Sequence, residues 1–251
     1  MVDELANLHA TKIVRADGGV RFEGSMDLLY RVNLSSRIAT RILFLVKDGF
    51  YKKEEDLYKA ASCFDWDQWF DINQTIKVST SAIYAPLKSL DFVTLRIKDA
   101  VCDFFRKKTN KRPSVASRDP DIKIHLFLNK NQYSLYLDAS GAPLYQRGYR
   151  VNSVQAPIRE NLAAGIIALS GWKPGAALLD PMCGSGTFLI EAALIAKNKA
   201  PGLDRMFSFM AWKNFNSQLF NQIKKEYVEQ VKPSCFMNIY GSDRELSAIR
   251  I

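Results

Sequence analysis

Histidine and cysteine are scarce in this chain of 251 residues, and each scarcity removes a class of function. Only His9 and His125 occur, so histidine-based catalysis has few candidates. His125 falls in the alternating run Ile122 to Leu128, on the face of Lys123 and Phe127, which reads as a solvated strand face. The four cysteines, Cys63, Cys102, Cys183 and Cys235, are far apart and form no C-x-x-C pair. That pattern excludes a disulfide frame and a cysteine zinc site, and fits reduced thiols in the cytoplasm. No apolar run approaches the ~18 residues of a membrane span. The opening MVDELANLHATKIV has neither the basic head nor the apolar stretch of a secretory leader. There are no internal repeats and no low-complexity tracts. A cytoplasmic protein with no metal and no membrane partner is expected.

What remains is ample for globular cores: the chain is 47% hydrophobic, and its length allows about two domains. Its formal charge is +9, which favours polyanionic partners. The distribution says more than the total. Lys88, Arg96, Lys98, Arg106, Lys107, Lys108, Lys111, Arg112 and Arg118 face only Asp91, Asp99 and Asp103 in the same segment. Such a concentration reads as a phosphate-binding footprint, against the plainer alternative of a solvated helix face.

The sequence pattern places strands at 20–24, 41–47 and 75–80, with a turn at Asp48-Gly49. Ser25 is placed to cap a helix over 26–37, and a second helix is expected over 54–64. The Trp- and Phe-rich stretch 65–71 is expected to dock one layer on another. The best helix runs over 87–107, where Val93, Ile97, Ala100, Val101 and Phe104 share one face. The runs 122–128 and 133–138 alternate cleanly around Asn129-Lys130-Asn131 and read as a hairpin. Strands and helices mix here without a βα rhythm, so this half reads as α+β. A basic linker with Arg147 and Arg150 occupies 139–155. A helix at 157–169, a strand at 176–179, a helix at 188–197, an aromatic insert at 201–215, a helix at 218–231 and a strand at 234–240 follow. Domains are expected over 1–70, 71–150 and 151–251.

The most specific stretch is LLDPMCGSGTFLIEAA, from Leu178 to Ala193. A buried strand ends in Asp180-Pro181, and a tight turn through Cys183, Gly184, Ser185, Gly186 and Thr187 opens a helix. Two glycines let a ligand approach the backbone, and a helix start presents free N–H groups. A carboxylate at the strand tip repels a pyrophosphate but suits an ammonium, which points to S-adenosylmethionine. A dinucleotide fingerprint fails because its third small position is Leu189, and a Walker A loop fails for want of a lysine. The G-x-S-x-G elbow fails because Ser185 is flanked directly by glycines. A strand-to-helix turn that only packs is the remaining alternative. Asp243 ends the next expected strand, where an acid commonly takes ribose hydroxyls. It lies 63 residues past Asp180, against about 20 past the fingerprint in a compact unit, and the insert and extra helix at 201–231 account for the excess.

DPMCGSGTFLIEAA resembles the S-adenosylmethionine motif of RNA methyltransferases that act on exocyclic guanine nitrogens. IKDAVCDFFRKK (97–108), RDPDIKIHLFL (118–128) and SLYLDASG (134–141) resemble a THUMP RNA-binding domain. LYQRGYR (144–150) and API-RE (156–160) continue the match to bacterial THUMP-domain 23S rRNA guanine-N2-methyltransferases. The resemblance implies an α/β chain: an α+β ferredoxin-like and THUMP half, then the start of a Rossmann-like methyltransferase domain. It implies that Asp180 and Pro181, the backbone of Cys183 to Thr187, Asp243, and Arg159 or Glu160 bind S-adenosylmethionine. Arg106, Lys107, Lys108, Lys111, Arg112, Arg118, Arg147 and Arg150 would bind 23S rRNA, free or early in assembly. Family members close the site with an Asn- or Asp-Pro-Pro-Tyr motif, which does not occur here, so no catalytic residue is assigned. The first strand and helix of the ferredoxin-like unit have no clear counterpart in the sequence pattern either, so the chain is read as an internal fragment or an incomplete, N-terminal portion of a larger enzyme, inactive alone. A non-catalytic RNA-binding fragment and a nicotinamide oxidoreductase are the rival readings.

Overall fold

A computed structural model describes residues 1–16, 18–150, 157–232 and 238–250. Part of the expected linker (151–156), most of the expected strand at 234–240, and Cys235 lie outside the described residues. The chain forms two compact units. One comprises Met1–Ile42, Ala142–Arg205 and Asn216–Ile251; the other comprises Leu43–Gly141 and Met206–Phe215. The first division thus falls after Ile42, and the helix and tryptophans before residue 70 belong to the second unit.

The second unit is built on a four-stranded sheet of order β3-β6-β5-β4: β3 (Leu43–Phe50), β4 (Ile76–Ile83), β5 (Ile122–Asn129) and β6 (Gln132–Asp138). β4 and β5 are parallel, joined through α4 (Leu90–Thr109), and the other pairs are antiparallel. The apolar face read from the α4 sequence is the buried one: Val93, Ile97, Ala100, Val101 and Phe104 are all in the core. Ser89 caps the helix, accepting the Phe92 N–H at 3.2 Å, and Asn110 ends it in a left-handed turn. Ile122, Ile124, Leu126 and Leu128 alternate inward along β5, leaving His125 half-buried between the hydroxyls of Ser79 and Ser81, 2.9 Å from each. The turn expected at Asp48-Gly49 is instead continuous strand, paired as Asp48 with Ser134 and Gly49 with Tyr133. A side chain at 49 would stand 3.1 Å from the Tyr133 ring, so glycine here makes room for a neighbour and does not reverse the chain.

The tryptophan stretch docks as expected, within its own unit. α3 (Glu54–Ser62) leads to a short 3-10 turn at Trp66–Gln68. The indole of Trp66 is fully buried and donates to the Ala61 carbonyl at 2.8 Å. Trp69 meets Phe44 and Trp212 with ring centres 4.6 and 5.4 Å away, which ties the aromatic insert to the sheet.

The first unit opens with two elements that the sequence pattern does not announce, α1 (Val2–Asn7) and β1 (Thr11–Ala16). The helix is short and the strand is exposed at five of six positions, so neither has a legible apolar face. β1 pairs antiparallel with β2 (Gly19–Glu23), and Ser25 caps α2 (Met26–Ser35) as expected. α2 packs on α7 (Ser217–Glu229): Tyr30 meets Phe220 edge-on at 5.8 Å, and Arg31 pairs with Glu226 at 2.8 Å. A side chain at Gly202 would lie 2.8 Å from the Leu34 backbone, so the insert can approach α2 only as glycine. α5 (Glu160–Leu169) packs on α6 (Thr187–Ala196), and α6 covers the parallel pair β7 (Leu178–Asp180) and β8 (Ile239–Gly241). A short α8 (Leu246–Ile249) ends the described chain. Among the described residues, no helix is long and apolar enough to cross a membrane.

Candidate functional site

β7 and β8 run level. Leu178 pairs with Ile239, Leu179 with Tyr240, and Asp180 with Gly241. The ladder continues past the strand ends: Ser242 N–H donates to the Asp180 carbonyl at 2.9 Å, and Cys183 N–H donates to the Ser242 carbonyl at 3.0 Å. Asp243 lies two residues beyond Gly241, the partner of Asp180, so both acids fall at the same end of the parallel pair. Asp180 and Asp243, 63 residues apart in sequence, thus share one end of the strand pair.

The glycine turn lies between these acids. Gly184 and Gly186 take φ of +54° and +80°, values that other residues adopt only under strain. Gly186 caps α6, its N–H donating to the Cys183 carbonyl at 2.8 Å. The Asp180 carboxylate accepts the Met182 N–H at 3.1 Å, which folds Pro181 and the turn back over the strand tip. The Asp243 carboxylate accepts two backbone N–H groups, Glu245 at 2.9 Å and Gly184 at 2.8 Å. These two bonds, Glu245 first, hold its carboxyl below the ordinary carboxylate range, so it stays charged at neutral pH. The Cys183 thiol is pushed up by burial and by both acids, so it stays protonated and acts as packing.

Two members of the expected cofactor set lie on the adjoining helix. Arg159 is exposed and rests over the Tyr145 ring at 5.2 Å. Glu160 is buried and pairs with Arg150 at 3.5 Å. Thr187, the first residue of α6, is buried and accepts from the Arg150 guanidinium at 3.0 Å.

The expected RNA contacts divide into two groups. Arg106, Lys107, Lys108, Lys111 and Arg112 are exposed at the C-terminal end of α4, where cations also oppose the helix dipole, and Arg118 is exposed beyond it. Arg106 pairs with Asp103 at 2.8 Å, and Lys108 with Asp67 at 3.0 Å and Asp65 at 3.6 Å. Lys107, Lys111, Arg112 and Arg118 have no ion pair among the described residues. The linker arginines differ from the expectation. Arg147 is buried, donating to the Leu144 and Arg37 carbonyls at 2.6 and 2.5 Å and facing Glu191 at 3.5 Å. It cannot reach RNA without leaving that interior. Arg150 is directed at Thr187 and Glu160 rather than outward. Their sequence neighbourhood is basic, but a buried acid on α6, Glu191, determines where Arg147 goes.

Sequence reasoning also passed over Gly241. A Cβ there would overlap the Leu189 side chain and stand 3.0 Å from the Cys183 Cβ. Its signal was present, a glycine ending the strand before Ser242-Asp243, but only the fold shows what it must admit. Gly241→Ala should force Leu189 and the turn apart, at a cost of about 1–3 kcal/mol for overpacking. Thermal unfolding of the variant at the wild-type temperature would contradict this packing.

Three family models match in series. The RlmL ferredoxin-like domain matches residues 1–43, the THUMP domain residues 51–138, and the RMKL-like methyltransferase domain residues 147–251. The chain is 41% identical to the ribosomal RNA large subunit methyltransferase K/L of Psychromonas ingrahamii, over 99% of this chain and 34% of that protein. It therefore spans about a third of that curated relative. A crystal structure of SMU.472 complexed with SAH superposes with a TM-score of 0.89 at 31% identity, covering 99% of this chain and 66% of that one. A protein described as a predicted N6-adenine-specific DNA methylase, from Listeria monocytogenes, superposes equally well at 28% identity, with 99% and 65% covered. The α/β class and the order of modules expected from the sequence are those found. With a glycine turn beside Asp180 and Asp243 at one end of a parallel strand pair, the chain carries, in series, an RlmL ferredoxin-like domain, a THUMP domain and an RMKL-like methyltransferase domain.

Proposed function

We propose that the protein methylates the exocyclic N2 of a guanine in 23S ribosomal RNA, in the cytoplasm, with S-adenosylmethionine bound at the glycine turn and RNA held by the basic THUMP unit. The observation that carries the proposal is the pair of acids, Asp180 ending β7 and Asp243 two residues past β8, at the same end of the parallel pair and beside a left-handed glycine turn. Two carboxylates repel a pyrophosphate. They suit an ammonium at Asp180 and a ribose diol at Asp243. The residues present fit that cofactor: Asp180 keeps one carboxylate oxygen without a hydrogen bond among the described residues, and the start of α6 supplies backbone donors for a carboxylate. The donor supplies a sulfonium methyl that is already activated. The chain's own task is then to fix that group by Asp180, by the Cys183 to Thr187 backbone and by Asp243, with Arg159 at the methionine end. A guanine in a helix must be unpaired or flipped to expose N2, which favours a target free of protein or early in ribosome assembly.

Asp180→Ala in the full-length protein should weaken binding of S-adenosylhomocysteine about 10- to 100-fold, the range for a lost hydrogen bond to a charged group. The thermal unfolding temperature should hold. Calorimetry showing unchanged affinity would remove the assignment.

The RNA side has its own test. Exposed cations that neutralise phosphates release counterions, so affinity falls as salt rises. Replacing Lys107, Lys111 and Arg112 by Ala should weaken binding to rRNA fragments and flatten the log–log salt slope by about two to three units, at ~0.7–0.9 per contact. Affinity for S-adenosylhomocysteine should not move. A triple variant with the wild-type slope would make the cluster a solvated face only.

A further inference from the structure

Arg150 has the sequence context of an RNA contact and the surroundings of something else. Its side chain is only 21% exposed. One guanidinium nitrogen, Nη2, donates to the Ile158 carbonyl at 2.9 Å and to Thr187 Oγ1 at 3.0 Å, while Nε faces Glu160 Oε1 at 3.5 Å. Ile158 and Glu160 flank the start of α5, and Thr187 is the first residue of α6. A single planar group thus joins the beginnings of two helices, a task that suits the fixed fork of arginine better than a lysine. Thr187 directly follows Gly186, the left-handed cap of α6, so whatever fixes Thr187 also fixes the exit of the glycine turn.

One turn along the same face of α6, Glu191 accepts the Tyr149 hydroxyl at 3.0 Å and pairs with Arg147. Three linker residues, Arg147, Tyr149 and Arg150, therefore hold α6 at two successive turns. Nε and Nη2 of Arg150 are turned to Glu160, Ile158 and Thr187, which among the described residues leaves Nη1 of a side chain only 21% exposed as the sole group free to meet a phosphate. Thr187 Oγ1 accepts from Arg150, so the hydroxyl is held by the linker.

We propose that Arg150 is a positioning residue of the cofactor site: through Thr187 it sets the first turn of α6, and with it the backbone donors of the glycine turn. The proposal rests on the reading of that turn as the S-adenosylmethionine site. The test uses the full-length protein and four readouts: S-adenosylhomocysteine affinity by calorimetry, rRNA-fragment affinity, its salt slope, and the unfolding temperature. Arg150→Ala should raise the Kd for S-adenosylhomocysteine about tenfold and leave RNA affinity and slope unchanged, with Arg150→Lys recovering part of the loss. Thr187→Val should weaken the cofactor analogue similarly, and the double variant should be no worse than either single one, because both remove the same link.

A weaker, flatter RNA titration with normal cofactor affinity would return Arg150 to the RNA surface and overturn the proposal. Additive effects of the two substitutions would overturn it as well, as would a Kd that rises only in step with a falling unfolding temperature and that lysine does not rescue. The two readings fail differently. If Asp180→Ala binds the analogue as wild type does, the cofactor reading fails and this proposal with it. If Asp180→Ala loses affinity while Arg150→Ala keeps it, only the role of Arg150 fails.

Discussion

The candidate site depends on one hydrogen bond, from the Gly184 N–H to the Asp243 carboxylate. A glycine turn with two left-handed residues has little of its own to hold it, since each glycine adds conformational freedom that folding must remove. Asp243 supplies the constraint from the neighbouring strand, and the Ser242 carbonyl supplies a second through Cys183. The turn is therefore not a property of its own sequence alone. It is fixed because β7 and β8 are parallel and level, so Gly184 and Asp243, 59 positions apart, meet. The same arrangement sets the ligand's polarity. In the proposed reading, two acids at one end of the parallel pair favour a ligand that carries a cation and hydroxyls over one that carries a phosphate.

The basic residues separate into those that can exchange partners and those that cannot. Arg106 and Lys108 hold carboxylates at an exposed helix end, and such pairs contribute little to stability, so a phosphate can replace the carboxylate at small cost. Arg147 is the opposite case. It is buried against Glu191, and removing either partner of a buried pair costs about 3–5 kcal/mol. Burial pushes the Glu191 carboxyl up, with Arg147 and the Tyr149 hydroxyl pulling it back down, and burial and Glu191 push the Tyr149 hydroxyl up in turn. The +9 of the chain thus overstates the charge available to RNA. Part of it is internal framework.

Where the sequence was legible, a periodic face or a cap carried the information. The buried stripe of α4, the alternation in β5 and the Ser25 cap all reflect local physics that a reader of the chain can apply. The motif around Asp180 was legible because acid, proline and two glycines serve together in few other ways. The misses share a different cause. Arg147 and Arg150 look like any basic linker until α6 supplies Glu191 and Thr187, which lie about forty residues away in sequence. Gly49 looks like a turn until Tyr133 crosses it. Gly241 matters only because Leu189 and Cys183 pack on it. α1 and β1 left no trace because neither buries a stripe. Local pattern predicts elements; partners distant in sequence decide what a charged or small residue does.

The central claim is that the acids and the glycine turn deliver a methyl group to guanine N2 in ribosomal RNA. The most direct measurement supplies the full-length protein with methyl-labelled S-adenosylmethionine and unmodified 23S rRNA, then digests the RNA and identifies the labelled nucleoside by mass spectrometry. The account predicts label in N2-methylguanosine at a single position. Label in N6-methyladenosine, transfer to DNA in preference to rRNA, or no transfer by a protein that still binds the donor would contradict it.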